Sequence, residues 1–320
     1  MRADVSAGGP ARGRTIHVIG NATLDSVIRV ERLPRPGETI VALGASEDLG
    51  GKGANQAIVA ARCGAPVRLV AAIGDDAAGE RTRFSLAREG VQTDGVTASP
   101  FGTDRCVITV DGHGENTILS LIDAARHFDP IAETRIESWI RPGDSVVMQG
   151  NLRADVTCDC LALAKSKGAT TILNPSPTYG AHDYDWSLVD LVLVNRGEAI
   201  ELAGVEPEAA PRELCDKGAG AVILTLGAEG ARFVSADEAF RVAAPRVAAV
   251  DAVGAGDVFC GVLVAARARG RSWGDALGAA VEAASISVTR TGVLASFPSR
   301  QELAAILQRG AVRPLEEHQQ

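Results

Sequence analysis

Short runs that are apolar at nearly every position recur along this 320-residue chain: Thr15–Ile19, Val67–Ile73, Ser145–Met148, Thr170–Leu173, Leu191–Val194 and Ala221–Leu226. A strand that alternates apolar and polar residues shows one face to water, whereas a strand apolar throughout is covered on both faces. Between the runs lie segments with helical spacing, Gly53–Cys63, Ala78–Glu89, Val156–Ser166 and Arg212–Lys217, the first two of them stopped by glycine. Strands alternating with helices predict an α/β domain, a mainly parallel sheet with helices on both sides. From Gly256 to Arg290, and again over Arg300–Gln308, the chain reads as helix.

Two stretches break the rhythm. Leu24–Leu49 holds strand-like pieces and the turn Pro34-Arg35-Pro36-Gly37 but no helical spacing, and Arg105–Leu121 reads as a hairpin turning at Asp111-Gly112-His113-Gly114. Together, 24–49 and 105–121 are expected to form a small β sheet standing off an α/β domain made of 15–23, 50–104 and 122–310. Residues 1–14 are polar and rich in Gly and Pro, with no apolar core of a signal peptide, and are expected to be a tail, as are 311–320. No window reaches the roughly 18 consecutive apolar residues that span a bilayer, so the cytosol is the expected compartment. The net charge of −8 argues against a nucleic-acid or membrane-surface partner, both of which want a basic face. The six cysteines are scattered and lack zinc spacing, which predicts free thiols.

Chemistry concentrates in a few places. Gly50-Gly51-Lys52-Gly53-Ala54-Asn55-Gln56 puts three glycines in four residues before a helix, so a backbone can approach a ligand closely. It is not a Walker loop, because Ser46 and Gly53 stand where that pattern needs Gly and Ser or Thr; a glycine turn with a solvated lysine is the plain alternative. Asp251-Ala252-Val253-Gly254-Ala255-Gly256-Asp257 opens the apolar helical region. N–H groups at a helix start converge on anions. A carboxylate there repels a phosphate, which suits Asp257 to a base taking a hydroxyl proton; a simple helix cap is the alternative. Asn195-Arg196-Gly197-Glu198 and Thr225-Leu226-Gly227-Ala228-Glu229-Gly230 each follow a strand, where ligands bind in parallel sheets. An amide and a carboxylate three residues apart can hold water on Mg²⁺.

The order of these stretches resembles the ribokinase-like carbohydrate kinases of the PfkB family, from about Thr15 to about Leu307. "GGKGANQA" (50–57) and "VDAVGAGDVF" (250–259) are similar to the family's two signatures, with "GNATLDSV", "LNPSP", "VNRGE" and "TLGAEG" before and between them. The resemblance implies a three-layer ribokinase-like sandwich with a β lid, and an ATP- and Mg²⁺-dependent kinase for a pentose hydroxyl, D-ribose first. Asp257 would be the catalytic base, and Gly254, Ala255 and Gly256, with Val253, the anion hole. Thr23, Asp25, Gly51, Lys52, Gly53, Asn55 and Asn151 would fall at the sugar. Asn195, Thr225, Gly227, Ala228, Glu229 and Gly230 would lie along ATP, and Asn195 with Glu198 would organise Mg²⁺. Asp251, Val253, Ser287, Arg290, Gly292 and Ser296 match the loops that hold an activating K⁺, and the lid would form a homodimer.

The sequence departs from the family at the sugar. Thr23-Leu24-Asp25 stands where ribokinases carry Asn-x-Asp, and Met148-Gln149-Gly150-Asn151 brings a neutral amide where they place a glutamate. Ser120–Ala125 lacks the Gly and Asn expected after the lid hairpin. Such changes can alter which sugar is preferred, so a deoxypentose, a ketose or a nucleoside stays open as acceptor. A non-catalytic sugar- or nucleotide-binding regulator is the rival from another class. A Rossmann dehydrogenase fails, because no G-x-G-x-x-G follows the first strand.

Overall fold

The structure, a computed structural model, describes residues 13–113, 116–178, 180, 183–309 and 315–316. Most of the expected N-terminal tail and Gly114 of the hairpin turn lie outside them. The chain begins with β1 (Ile16–Ile19), β2 (Thr23–Arg29), β3 (Gly44–Gly50), α1 (Lys52–Arg62), β4 (Val67–Gly74), α2 (Ala77–Arg88), β5 (Gln92–Ser99), β6 (Arg105–Val110) and β7 (Asn116–Leu121). Three short helices follow, α3 (Asp123–His127), α4 (Pro130–Glu133) and α5 (Ile136–Trp139), then β8 (Ser145–Gln149), α6 (Ala154–Ser166), β9 (Thr170–Asn174), β10 (Leu191–Asn195), α7 (Arg196–Ala203) and α8 (Ala210–Asp216). The remainder is β11 (Ala221–Thr225), β12 (Ala231–Ser235), β13 (Ala239–Val242), α9 (Ala255–Ala268), α10 (Trp273–Ser287), α11 (Arg300–Gln308) and β14 (Leu315–Glu316).

Ten strands form the main sheet in the order β14-β13-β12-β11-β10-β9-β8-β1-β4-β5. Every pairing from β11 to β5 is parallel, and β11 to β14 pair antiparallel. The all-apolar runs behave as the two-faced burial requires. Val18, Leu69, Val147, Leu193 and Ile223 point to one core with α1, α9, α10 and α11, while Ile19, Val70, Met148, Val192 and Leu224 point to another with α6, α7 and α8. That is a three-layer sandwich, as expected. The strands β5, β12 and β13 were not foreseen: β5 is half polar, and the other two form a short antiparallel edge. Nor was β14, which places Leu315 and Glu316 against Arg241 and Phe240 inside the expected C-terminal tail.

A separate sheet, ordered β3-β2-β6-β7, is built from the two stretches that broke the helical rhythm. Its central pair, β2 and β6, is parallel, with Leu24 opposite Arg105, and β3 and β7 flank it antiparallel. Among the described residues no helix is long and apolar enough to cross a membrane.

One close approach sets the packing of the helical layer. At Gly261 in α9 an added Cβ would lie 2.6 Å from Val59 Cβ and 2.9 Å from the Gln56 carbonyl oxygen, both on α1. Gly261→Ala therefore forces the two helices apart and is expected to cost about 1–3 kcal/mol. Urea unfolding checks this: the midpoint should fall with the slope unchanged.

Candidate active site

Parallel strands leave their carboxyl ends along one edge, and the strand order decides what meets there. Along that edge lie Thr225 and Asn195, paired across β11 and β10, then Asn174 and Gln149, paired across β9 and β8, then the turn Gly20–Ala22 after β1. At ~4.8 Å per strand, β11 stands roughly 19 Å from β1, enough to seat a nucleotide and a small acceptor end to end.

At the β1 end, the glycine-rich segment packs directly on the β1–β2 turn. Gly51, with φ 89°, is the N-cap of α1 and carries no side-chain cap. A Cβ there would sit 2.9 Å from Ala22 Cα, and one at Gly53 would sit 2.7 Å from the Asn21 carbonyl oxygen. Asn21 holds the turn in place, its Oδ1 accepting from Gly53 N at 3.3 Å and its carbonyl from Ala54 N at 3.0 Å. Lys52 opens α1 half-buried, without an acidic partner among the described residues. Asp25 lies over Gly50, where a Cβ would come 2.0 Å from its Oδ2. Burial holds the Asp25 carboxyl above the ordinary carboxylate range; a hydrogen bond from Thr23 opposes this, and the charges of Asp48 and Asp257 add to it. Thr23 Oγ1 donates to Asp25 Oδ1 at 2.6 Å, so its hydroxyl proton is spent inside the protein.

Asp257 sits in the first turn of α9, 6% exposed. Its Oδ2 accepts from Asn55 Nδ2 at 2.9 Å, and its Oδ1 from Gln56 Nε2 at 3.0 Å. The carboxylate is therefore no cap of its own helix; it is turned toward α1. Gly254, the N-cap, has φ 77° and carries no side chain to satisfy the helix start. The N–H groups of Gly256 and Asp257 meet no acceptor among the described residues, and a Cβ on Gly256 would meet nothing within 4 Å. Unpaired donors facing open space at a helix N-terminus can receive an anion, and here they adjoin a carboxylate.

The outlying residues divide. Asn195 and Glu198 form a capping box: Glu198 N donates to Asn195 Oδ1 and Asn195 N to Glu198 Oε2, both at 2.9 Å. The pair thus builds the start of α7 and leaves Glu198 Oε1 for other work. Gly227–Glu229 form a 3-10 turn closed by Leu226 N donating to the Gly230 carbonyl at 2.8 Å. Thr225 Oγ1 donates to the Val194 carbonyl at 3.3 Å, and the Glu229 side chain is tied to Arg196 at 2.6 Å. Asp251 joins two loops, taking Val253 N at 2.9 Å on Oδ1 and Gly292 N at 3.1 Å on Oδ2. The Ser287 and Ser296 hydroxyls donate to the Ala284 and Val293 carbonyls at 2.8 and 2.7 Å, and the Arg290 side chain turns away to Glu302 at 2.5 Å. Among the described residues no three His, Cys, Asp or Glu side chains cluster as a metal site.

Three side chains at the centre were not among the expected site residues: Gln56, Gln149 and Asn174. Gln56 Nε2 also reaches Asn174 Oδ1 at 3.2 Å, Gln149 Nε2 donates to Gln56 Oε1 at 2.8 Å, and Asn174 Nδ2 donates to the Leu193 carbonyl at 3.0 Å. A polar residue closing an otherwise apolar parallel strand was the signal that could have found the last two. Asn151, expected at the sugar, is half-buried, with an Oδ1 that has no partner, as have Asn55 Oδ1 and Gln149 Oε1. Buried acceptors of this kind are rare unless something else binds them.

The chain is similar to known proteins over most of its length. Ribokinase of Haemophilus influenzae is 35% identical over 303 residues, 92% of this chain and 99% of the relative. Deoxyribokinase of Salmonella typhi is 30% identical over 295 residues, 90% of this chain and 96% of the relative. The crystal structure of ribokinase from Cryptococcus neoformans var. grubii in complex with ADP superposes with a TM-score of 0.77 at 29% identity, covering 92% of this chain and 99% of that one. Residues 14–300 match the pfkB family carbohydrate kinases, and the chain belongs to that family.

Proposed function

We propose that this protein transfers the terminal phosphoryl group of ATP to a hydroxyl of a pentose, D-ribose in the first place. The observation that carries the proposal is the buried Asp257 carboxylate, fixed by Asn55 and Gln56 beside the unsatisfied N–H groups of its own helix. The carboxylate takes the proton of the attacking hydroxyl, and the Gly254–Gly256 backbone receives the charge that develops on the migrating phosphoryl group. Asp25, Asn55, Asn151 and the Gly51–Gly53 backbone orient the sugar. Thr23 acts through Asp25, because its proton is already given to that carboxylate. Lys52 supplies positive charge near the acceptor. The nucleotide lies over Asn195, Thr225 and the Gly227–Gly230 turn, with Ala228 and Glu229 at its rim.

Magnesium, when bound, neutralises phosphate charge. Asn195 and Glu198 would reach it through water, consistent with the free Glu198 Oε1 and with the absence of a carboxylate cluster among the described residues. For potassium, the loops joined by Asp251 offer an all-oxygen set: that carboxylate, the Ser287 and Ser296 hydroxyls, and the backbone of Val253, Arg290 and Gly292. The Arg290 side chain has no part in it, being paired with Glu302.

The β3-β2-β6-β7 sheet is the lid. It carries Asp25 on the strand that leaves the main sheet, so closing it brings the sugar contacts together and excludes water. Exposed Leu43, Leu119 and Leu121 support its pairing with a second copy. The thiols are all free, in keeping with work in the cytosol. A deoxypentose is the second reading, favoured by the consumption of the Thr23 hydroxyl by Asp25. A panel of ribose, deoxyribose, ketoses and nucleosides, read by ADP release, separates the acceptors; sugar binding without ADP release would support a regulator instead.

Asp257→Asn should lower kcat roughly 10²- to 10⁴-fold while leaving the sugar KM near its starting value, as steady-state kinetics would show. Asp25 accepts sugar hydroxyls as the carboxylate, a form lost as pH falls through its raised pKa. The sugar KM should therefore climb on the acid side at a pH above that of an ordinary carboxylate. In Asp25→Asn the KM should be higher by roughly tenfold or more and lose this pH dependence.

A further inference from the structure

Gln56, next to Asn55 on α1, is fully buried, and its whole amide is engaged with protein groups. Nε2 donates to Asp257 Oδ1 and to Asn174 Oδ1, and Oε1 accepts from Gln149 Nε2 at 2.8 Å. The heavy atoms alone do not say which way an amide faces, but chemistry fixes it here. The carboxylate of Asp257 offers only acceptors, so Gln56 must present its NH₂ group there. Its oxygen then faces Gln149, which must present its own NH₂ group. The donors run one way, from the end of β8 through α1 to the base. Gln149 is 0% exposed and lies against Gly20, where an added Cβ would come 1.9 Å from its Oε1. The far end of the chain is thus seated on the rigid centre of the sheet.

We propose that Gln149 and Gln56 are positioning residues that hold the Asp257 carboxylate in the orientation from which it takes the substrate proton. The inference rests on Asp257 being the base. Asn55 holds the other carboxylate oxygen but comes from the sugar side, and its own Oδ1 has no partner, so substrate competes for it. Gln56, by contrast, has every amide atom taken by protein and none left for substrate. Without the Gln149 donor, only the carboxylate and Asn174 still orient the Gln56 amide, its far side is no longer held, and one of the two holds on the base slackens.

Gln149→Glu and Gln149→Met test this at the end that does not touch the base. A carboxyl buried at 149 keeps its proton to a raised pH. While protonated it can still donate to Gln56; once ionised it repels the Gln56 oxygen and turns the amide over. Relative to the parent enzyme, kcat of Gln149→Glu should hold at low pH and fall as pH rises. Gln149→Met should lose roughly tenfold in kcat at every pH, with the sugar KM within about threefold. A packing role alone gives no such pH dependence. Thermal melting establishes that each variant is folded. Should Gln149→Glu not fold, Gln56→Met reads the same link, with kcat down and KM held. If the folded variants keep the parent kcat and pH profile while Asp257→Asn is inactive, the positioning role is wrong and the base assignment stands. If Asp257→Asn keeps its turnover, the base assignment itself is wrong.

Discussion

One buried carboxylate held by two amides ties the first turn of α9 to the first turns of α1. Asn55 and Asp257 lie 202 residues apart in sequence, and nothing but the contact between α1 and α9 brings them together. That contact is close because Gly261 has no side chain to meet Val59. Apolar burial over the central strands and these helices drives the layers together, but it is indifferent to the position of a single oxygen. The polar chain through Gln56, Gln149 and Asn174 supplies the specificity that burial lacks. Because Gln56 and Gln149 are fully buried, a lost partner between them would leave an expensive unpaired atom, which sharpens the arrangement.

The sheet supplies the second constraint. Its order places the strand ends bearing Thr225 and Asn195 on one side of Asn174 and Gln149, and the β1 turn on the other. The residues proposed for nucleotide and sugar are therefore laid out along the edge of one rigid element. A single rigid frame for both substrates suits phosphoryl transfer, where positioning and charge do most of the work.

Much of this was legible in the residues. The all-apolar runs identified the parallel strands because two-sided burial leaves no polar position to confuse the pattern. The 50–57 and 250–259 stretches stood out because helix starts rich in glycine and free of caps have little structural use. The half-polar β5 was hidden by its mixed surface, and β14 by its length. Gln56 stood inside a quoted motif yet its role was invisible, since its meaning depends on Gln149, 93 residues away. The Asn195/Glu198 pair was read for a metal, and its capping box, a purely local device, went unread. For Gln56 the sequence showed the segment and concealed its distant partner, while the capping box shows that a local device can also hide behind a functional motif.

The parallel pairing of β2 with β6 has a mechanical consequence. β2 leaves the main sheet just after β1, and β6 arrives just after β5, two places further along the same sheet. The small sheet is thus suspended from two separated mounts. A flap hung on one hairpin could twist about its stalk; closure of the proposed lid would instead be a rocking about the line between its mounts, as of a drawbridge, with Asp25 carried on the moving leaf.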